Sequence, residues 1–301
     1  MNIVMFKYFL LFLSVVLVIF LLHRSETITS TGILLTQQPI INHTIPLYFS
    51  TWHECAQQKF ISTGEDANVF WKNFKGRSQE CDKVAKILKN MKVVWFKNRD
   101  ETKYAILPVR KSSKSVFVTL GIGLDISAEE AFQKKMRESN QVVTFYGADP
   151  IVEGNAQMYS KIGKFFPFAV GAKAGFSKAS VLRNDVYQDV DVVHVDLYYF
   201  LSEVLGEKII DNLWMDAEYA EYGLLDIFYK DGRLDQMGFL FCQMSLEVHN
   251  PSLDQKKQFV NFVEKLVMEK RFGFFFSENV GHMRMWLFNF SSRYCEEKFL
   301  G

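Results

Sequence analysis

From Val116 onward, short apolar runs alternate with longer amphipathic stretches, and most of the runs close on a glycine or an acid. Val116–Leu120 leads into Gly121-Ile122-Gly123 and then SAEEAFQKKMRES, whose apolar residues have helical spacing. Val142–Tyr146 leads into Gly147-Ala148-Asp149-Pro150 and a helical stretch around Val152–Ile162, and Phe165–Val170 closes at Gly171. A short strand at Val192–Val195 and a helix over Leu197–Leu205 come next. The fourth main strand is Ile209–Met215, with a helix over Glu218–Phe228, and the fifth is Gly238–Val248, with an amphipathic helix over Asp254–Lys270. Strands separated by helices must be joined by crossovers, which lays them parallel in one sheet with helices on its faces. The last runs, Gly273–Phe276 and Met283–Phe290, flank Glu278-Asn279-Val280-Gly281 as a hairpin, so one strand turns antiparallel. The expected fold is α/β: a doubly wound, mainly parallel, Rossmann-like sheet with a C-terminal antiparallel hairpin.

Upstream the pattern changes. Ile3–Leu22 is apolar apart from Lys7 and Ser14, and it is long enough to span a bilayer if Lys7 snorkels to the interface. The flank His23-Arg24-Ser25-Glu26 has no small-x-small cleavage site. That favours a signal anchor over residues 1–24, spanning at about 3–22, over a cleaved signal peptide. Lys7 ahead of the span points to a cytoplasmic amino terminus and a luminal bulk, that of a type II membrane protein in the ER or Golgi. The sequons Asn42-His43-Thr44 and Asn289-Phe290-Ser291 fit that address. Residues 25–50 read as a stem. Residues 51–111 read as a helical cap and a hairpin, and 112–301 as the Rossmann-like domain. In the cap, Cys81, Val84, Ala85, Leu88 and Met91 share a helical face. The hairpin pairs Val93–Lys97 with Tyr104–Val109 around Asn98-Arg99-Asp100-Glu101. Four cysteines cannot build a disulfide scaffold. Cys242 with Cys295, and Cys55 with Cys81, are pairs the topology could bridge; the alternative is four buried thiols.

Charge excludes one class of partner. With 35 Lys+Arg against 34 Asp+Glu there is no basic footprint, so no nucleic acid is expected. A composition 49% hydrophobic and 23% charged excludes a disordered chain. His53, His194 and His282 lack zinc-ligand spacing and read as structural or surface residues.

In a doubly wound sheet the ligand sits beyond the carboxyl ends of the strands. Gly121 and Gly123 allow a sharp turn and close backbone approach there. Asp149, about 25 residues further on, can accept from ribose hydroxyls, or else cap the next helix. After the fourth strand come Asp216, Glu218 and Glu221. The last two, one helical turn apart, would share a face or complement a helix dipole. Glu247 and His249 end the fifth strand, with Gln243 on the same alternating face. Carboxylates with an imidazole suit either a general base or a hard divalent cation, and the sequence leaves both open.

These residues carry a resemblance. VTLGIGLD (118–125), FYGADP (145–150), FPFAVGAKAG (166–175), LWMDAEYAE (213–221) and QMSLEVH (243–249) resemble the FkbM-type methyltransferases that use S-adenosylmethionine, in a divergent, membrane-anchored form. The resemblance implies that Gly121, Gly123, Asp125, Asp149 and Pro150 contact the cofactor. It implies that Asp216, Glu218 and Glu221 form the acidic motif facing the acceptor, with Glu247 and His249 beside them. The acid that usually precedes the glycine turn is Thr119 here, and a third glycine is Asp125. The lysine before the acidic motif is Trp214, and the motif's central glycine is Tyr219. The implied reaction is O-methylation of a sugar, glycan or small-molecule hydroxyl, with His249 or Asp216 taking the proton. Two alternatives stand beside it. One is a catalytically silent nucleoside-binding relative; the other is a luminal glycosyltransferase using Asp189 and Asp191.

Overall fold

The computed structural model describes residues 45–301 apart from 62–63, 112 and 184–185. The apolar run 3–22, most of the expected stem and the Asn42 sequon lie outside the described residues. Among the described residues no helix is long and apolar enough to cross a membrane.

The first helix, α1 (Leu47–Phe60), begins inside the expected stem, and α2 (Ala67–Val84) follows, with the Asp66 carboxylate capping it by accepting from Asn68 N. Phe49, Trp52, Ala56 and Phe60 recur at three- and four-residue spacing and are buried, and Phe60 packs against Phe70 and Phe74 of α2. A Cys55–Cys81 disulfide joins the two helices. The single apolar face expected from Cys81 to Met91 does not form. Lys86 is left-handed (φ 53°) and turns the chain, so Cys81, Ala85 and Met91 are buried while Val84 and Leu88 face solvent.

The hairpin β1 (Val93–Lys97) and β2 (Thr102–Ile106) is a two-stranded sheet of its own. It lies on the large sheet and is pinned by Gln243, whose side chain accepts from Ile106 N and donates to Ile106 O, both at 2.8 Å.

The large sheet begins with β3 (Lys114–Leu120), followed by α3 (Ser127–Glu138), β4 (Val142–Ala148) and β5 (Lys164–Phe166). Pro167 ends that run, which therefore divides between two sheets instead of forming one strand. The chain passes into a ribbon of β6 (Ala169–Gly171), β7 (Gly175–Arg183) and β8 (Val186–Asp196). The expected Val192–Val195 strand is only the end of β8. Leu197–Tyr199 begins a helix that widens into a π turn over Phe200–Leu205. β9 (Ile209–Met215) and β10 (Leu240–Val248) rejoin the large sheet; α4 (Leu253–Glu269), β11 (Phe272–Asn279), β12 (Met283–Asn289) and α5 (Arg293–Phe299) complete the chain.

The sheet order is β11-β12-β10-β9-β3-β4-β5, and β12 is antiparallel to both its neighbours. Strand alternation divides the core. Val118, Leu120, Leu213, Met244 and Leu246 belong to the cluster that includes α1, α2 and α4, while Phe117, Phe145 and Trp214 pack with Phe132 of α3 and Phe96 of the hairpin. A second disulfide, Cys242–Cys295, ties β10 to α5, so both candidate pairs are bridged and the alternative of four buried thiols does not hold. Asn289 does not suit glycosylation in this fold. It is fully buried, its amide donates to Phe241 O, and Ser291 donates back to its carbonyl.

Candidate active site

The strand order reverses between β3 and β9, and the crevice of a doubly wound sheet opens at such a point. Here the two backbones touch. Asp216 N donates to Leu120 O at 2.8 Å, Gly121 has φ +82°, and a Cβ on Gly121 would lie 1.8 Å from Asp216 O. Only glycine fits. Gly123, also at positive φ (+63°), faces space that is empty to 4 Å around a built Cβ.

Asp149 comes to the same turn. Its Oδ2 accepts from Ile122 N at 2.8 Å and Gly123 N at 3.4 Å, and its Oδ1 accepts from Ile151 N at 2.7 Å. A carboxylate offers about four acceptor positions; backbone amides take three, and the Asn155 side chain is a further partner. Burial raises the Asp149 carboxyl despite these amides. The residue expected to hold a ribose is thus also the anchor of the glycine turn. Asp125 points elsewhere. It accepts from Ser127 N and Oγ at the start of α3 and from Arg99 N in the hairpin turn, so it joins those two elements. Pro150 is half-buried beside Asp149.

The expected helix over Glu218–Phe228 is replaced by two 3-10 turns, Ala220–Gly223 and Leu225–Phe228. Glu218 and Tyr219 are left-handed (φ 43° and 72°), which folds the segment back on itself. Glu218 and Glu221 therefore meet around His249, not along a helix face. His249 Nδ1 lies 3.0 Å from Glu221 Oε1, and its Nε2 lies 3.2 Å from Asp216 Oδ1 and 3.3 Å from Glu218 Oε2. Its backbone N also donates to Glu221 Oε1 at 2.7 Å, and Tyr222 OH donates to its carbonyl. Burial works to lower the His249 pKa, but the hydrogen bonds with Asp216 and Glu221 outweigh it and raise it to about 11. His249 is an imidazolium at neutral pH. Burial likewise works to raise Asp216, yet the His249 hydrogen bond and the Lys103 charge hold it below the usual carboxylate range.

Sequence reasoning missed the rest of the constellation. Arg284, opposite Glu247 on β12, donates Nε to Glu247 Oε2 at 2.8 Å. Burial and the Asp216 charge nevertheless push Glu247 up to about 7. The hairpin, read only as a polar turn and two strands, supplies Glu101 and a buried Lys103, which form an ion pair. A cavity of about 20 Å³ lies among Glu101, Lys103, Glu247 and Arg284, room for a single water. His282, set aside as structural, has its ring 4.7 Å from that of His249. Apart from the Glu101–Lys103 pair, these contacts join residues far apart in sequence, so only the cross-strand partner of Glu247 had a legible signal, once the hairpin register is known.

The same donors would suit a hard divalent cation. Asp216, Glu218 and His249 lie close enough to share one, as do Glu247, His249 and His282, in competition with the imidazolium proton. Asp189 and Asp191 are not part of the rim; both are exposed on β8, in the separate ribbon.

A Rossmann-like sheet with a glycine turn at its switch point, an acid from the neighbouring strand and carboxylates across the crevice is the frame of an enzyme that uses a nucleoside cofactor. The profile of the Methyltransferase FkbM domain matches residues 78–295, and the chain belongs to that family. It is a methyltransferase by family, and such enzymes generally use S-adenosylmethionine. The match starts within α2 and includes the hairpin. Comparison with curated proteins and with solved structures gives no match. The residues present fit such a cofactor, since Gly121 lets the turn close against Asp216, Gly123 borders open space and the rim carries more carboxylates than cations.

Proposed function

We propose that this chain is an S-adenosylmethionine-dependent O-methyltransferase acting on a hydroxyl of a sugar, glycan or small molecule. The observation that carries the reading is the meeting of the glycine turn with Asp216 at the switch point, with His249 and its carboxylates directly behind. When bound, the cofactor supplies an electrophilic sulfonium methyl. The chain supplies position and a proton acceptor. Asp216 is the base by position, because its side chain is 35% exposed at the rim and adjoins Gly121, and its lowered pKa keeps it ionised though a weak acceptor. His249 is 3% exposed and already protonated, so it holds Asp216 in place and does not take the hydroxyl proton. The two disulfides favour an oxidising compartment, which supports a luminal domain behind an amino-terminal anchor.

The test has two stages. Wild-type full-length protein should gain thermal stability with S-adenosylmethionine and with S-adenosylhomocysteine. With a panel of sugar and small-molecule alcohols, S-adenosylhomocysteine release should fall by about 10²–10⁴-fold in Asp216→Asn, the range for loss of a general base. Undiminished turnover in that variant would rule Asp216 out as the base; absence of any nucleoside shift in wild type would remove the cofactor.

A further inference from the structure

Beside β11, which ends the sheet order, lies a cavity of about 540 Å³. That falls within the range of small-molecule sites, roughly 300–1,000 Å³. Tyr104 of the hairpin and Phe276 of β11 stack with ring centroids 4.6 Å apart and form an aromatic wall, and Leu88, 65% exposed, stands at the rim. Two lining residues, Lys86 and Phe276, have left-handed backbone without being glycine, both at φ 53°. At Phe276, β11 slips its register against β12. Side chains of α2 hold that bulge. Asp82 Oδ2 accepts from Phe276 N at 2.8 Å, and Gln79 Nε2 donates to Ser277 O at 3.1 Å. Strained backbone persists only where its surroundings impose it, and bulges and strain gather at binding sites.

The charges around this cavity are unequal. Lys83, Lys86 and Lys89 line it together with Asp82 and Glu278, and all three lysines are exposed, so it opens to solvent. Among the described residues none of the three has an ion-pair partner. Lysine stems extend an apolar lining while their ammonium groups stay in water. Asp82 offsets little of their charge, because burial pushes its carboxyl up to about 7. An aromatic-walled cavity under three unpaired ammonium groups is complementary to an apolar body that ends in an acid. We propose that it binds a small amphiphilic anion, with the apolar body against Tyr104, Phe276 and Leu88 and a carboxylate, sulfate or phosphate toward Lys83, Lys86 and Lys89. The proposal does not depend on the cofactor reading. Tyr104, Phe276 and Glu278 also line the small cavity that holds Glu247 and Arg284, so the occupant would lie one wall away from the charged rim.

The experiment uses naphthalene-2-sulfonate and naphthalene-2-sulfonamide, which share a body and a shape but differ in charge. By calorimetric titration, the wild-type full-length chain should bind the sulfonate about tenfold more tightly than the sulfonamide, the worth of a few exposed charge pairs. Methanesulfonate, the head alone, should bind at least about tenfold more weakly than naphthalene-2-sulfonate, because the apolar body supplies the rest. Lys83→Gln, Lys86→Gln and Lys89→Gln together should abolish the preference for the anion and leave the sulfonamide within about twofold. Leu88→Glu, at an exposed position, should weaken both naphthalenes. Should the triple variant fail to fold, Lys83→Gln with Lys89→Gln, which keeps the left-handed Lys86, is read on the same ratio. Several results would overturn the assignment: wild type binding the two naphthalenes equally or binding neither, methanesulfonate matching naphthalene-2-sulfonate, unchanged binding in Leu88→Glu, or an anion preference that survives the lysine changes.

Discussion

Gly121 and Gly123 share one turn and one backbone sign but not one environment, and that contrast gives a sharp prediction. Either alanine variant meets the cost of a left-handed L-residue, about 1–2 kcal/mol. Each recovers about 0.4–1 kcal/mol from a less flexible unfolded chain. For Gly123→Ala that is nearly the whole effect, because nothing lies within 4 Å of the added methyl. For Gly121→Ala the methyl would stand 1.8 Å from Asp216 O, so the peptide must move by more than an ångström to reach even 3.0 Å. That overpacks the crossing by about 1–3 kcal/mol and strains the Asp216 N to Leu120 O bond, worth about 1 kcal/mol. Gly121→Ala should therefore be about 2–4 kcal/mol less stable than Gly123→Ala, or about 5–15 °C in melting temperature. Thermal unfolding followed by circular dichroism on both full-length variants measures the difference. Melting within about 2 °C of each other would refute the close approach, and with it the geometry of the switch point.

Three further outcomes are expected. Removing Cys242–Cys295, which closes 53 residues, should cost about 4 kcal/mol in the chain-entropy account, and removing Cys55–Cys81, which closes 26, about 3.5 kcal/mol; denaturant midpoints of the paired Cys→Ser variants, and the absence of alkylation before reduction, test both. Because the fold raises His249 from 6.5 to about 11, its stabilisation is complete below about pH 6.5 and is lost as pH rises toward 11. Stability should thus fall between pH 7 and 10, and His249→Gln should flatten that slope; an unchanged slope would contradict the imidazolium. Asn289 should carry no glycan after expression through the secretory pathway, which peptide mass spectrometry would show, since its side chain is buried and bonded to Phe241 O.

What the sequence disclosed follows the range of the interactions involved. Val116–Leu120, Ile209–Met215 and the closing hairpin were legible because local apolar patterning marks each, and the glycine turn was legible because Gly121-Ile122-Gly123 stands in register with Asp149, although Gly-x-Gly alone marks only a tight turn. The helix over Glu218–Phe228 failed for a tertiary reason with no local mark. Its acids satisfy helical spacing, but His249, 28 residues after Glu221, draws them into a left-handed fold. β7 was missed because its mixed sequence pairs only with β8, in a ribbon outside the large sheet. Lys103 and Arg284 escaped because each acts on a partner that tertiary packing, not spacing, brings near.

The two disulfides differ in when they can exist. Cys81 leaves the ribosome 26 residues after Cys55, so the α1–α2 bridge can close while most of the sheet is still unmade. Cys242 must wait a further 53 residues for Cys295, and until then the central strand β10 carries a lone thiol. If the earlier pair has sealed by that stage, it offers no partner. In that case the order of synthesis is enough to set the pairing, and a nascent chain stalled before Cys295 would be the form open to cross-linking with other thiols.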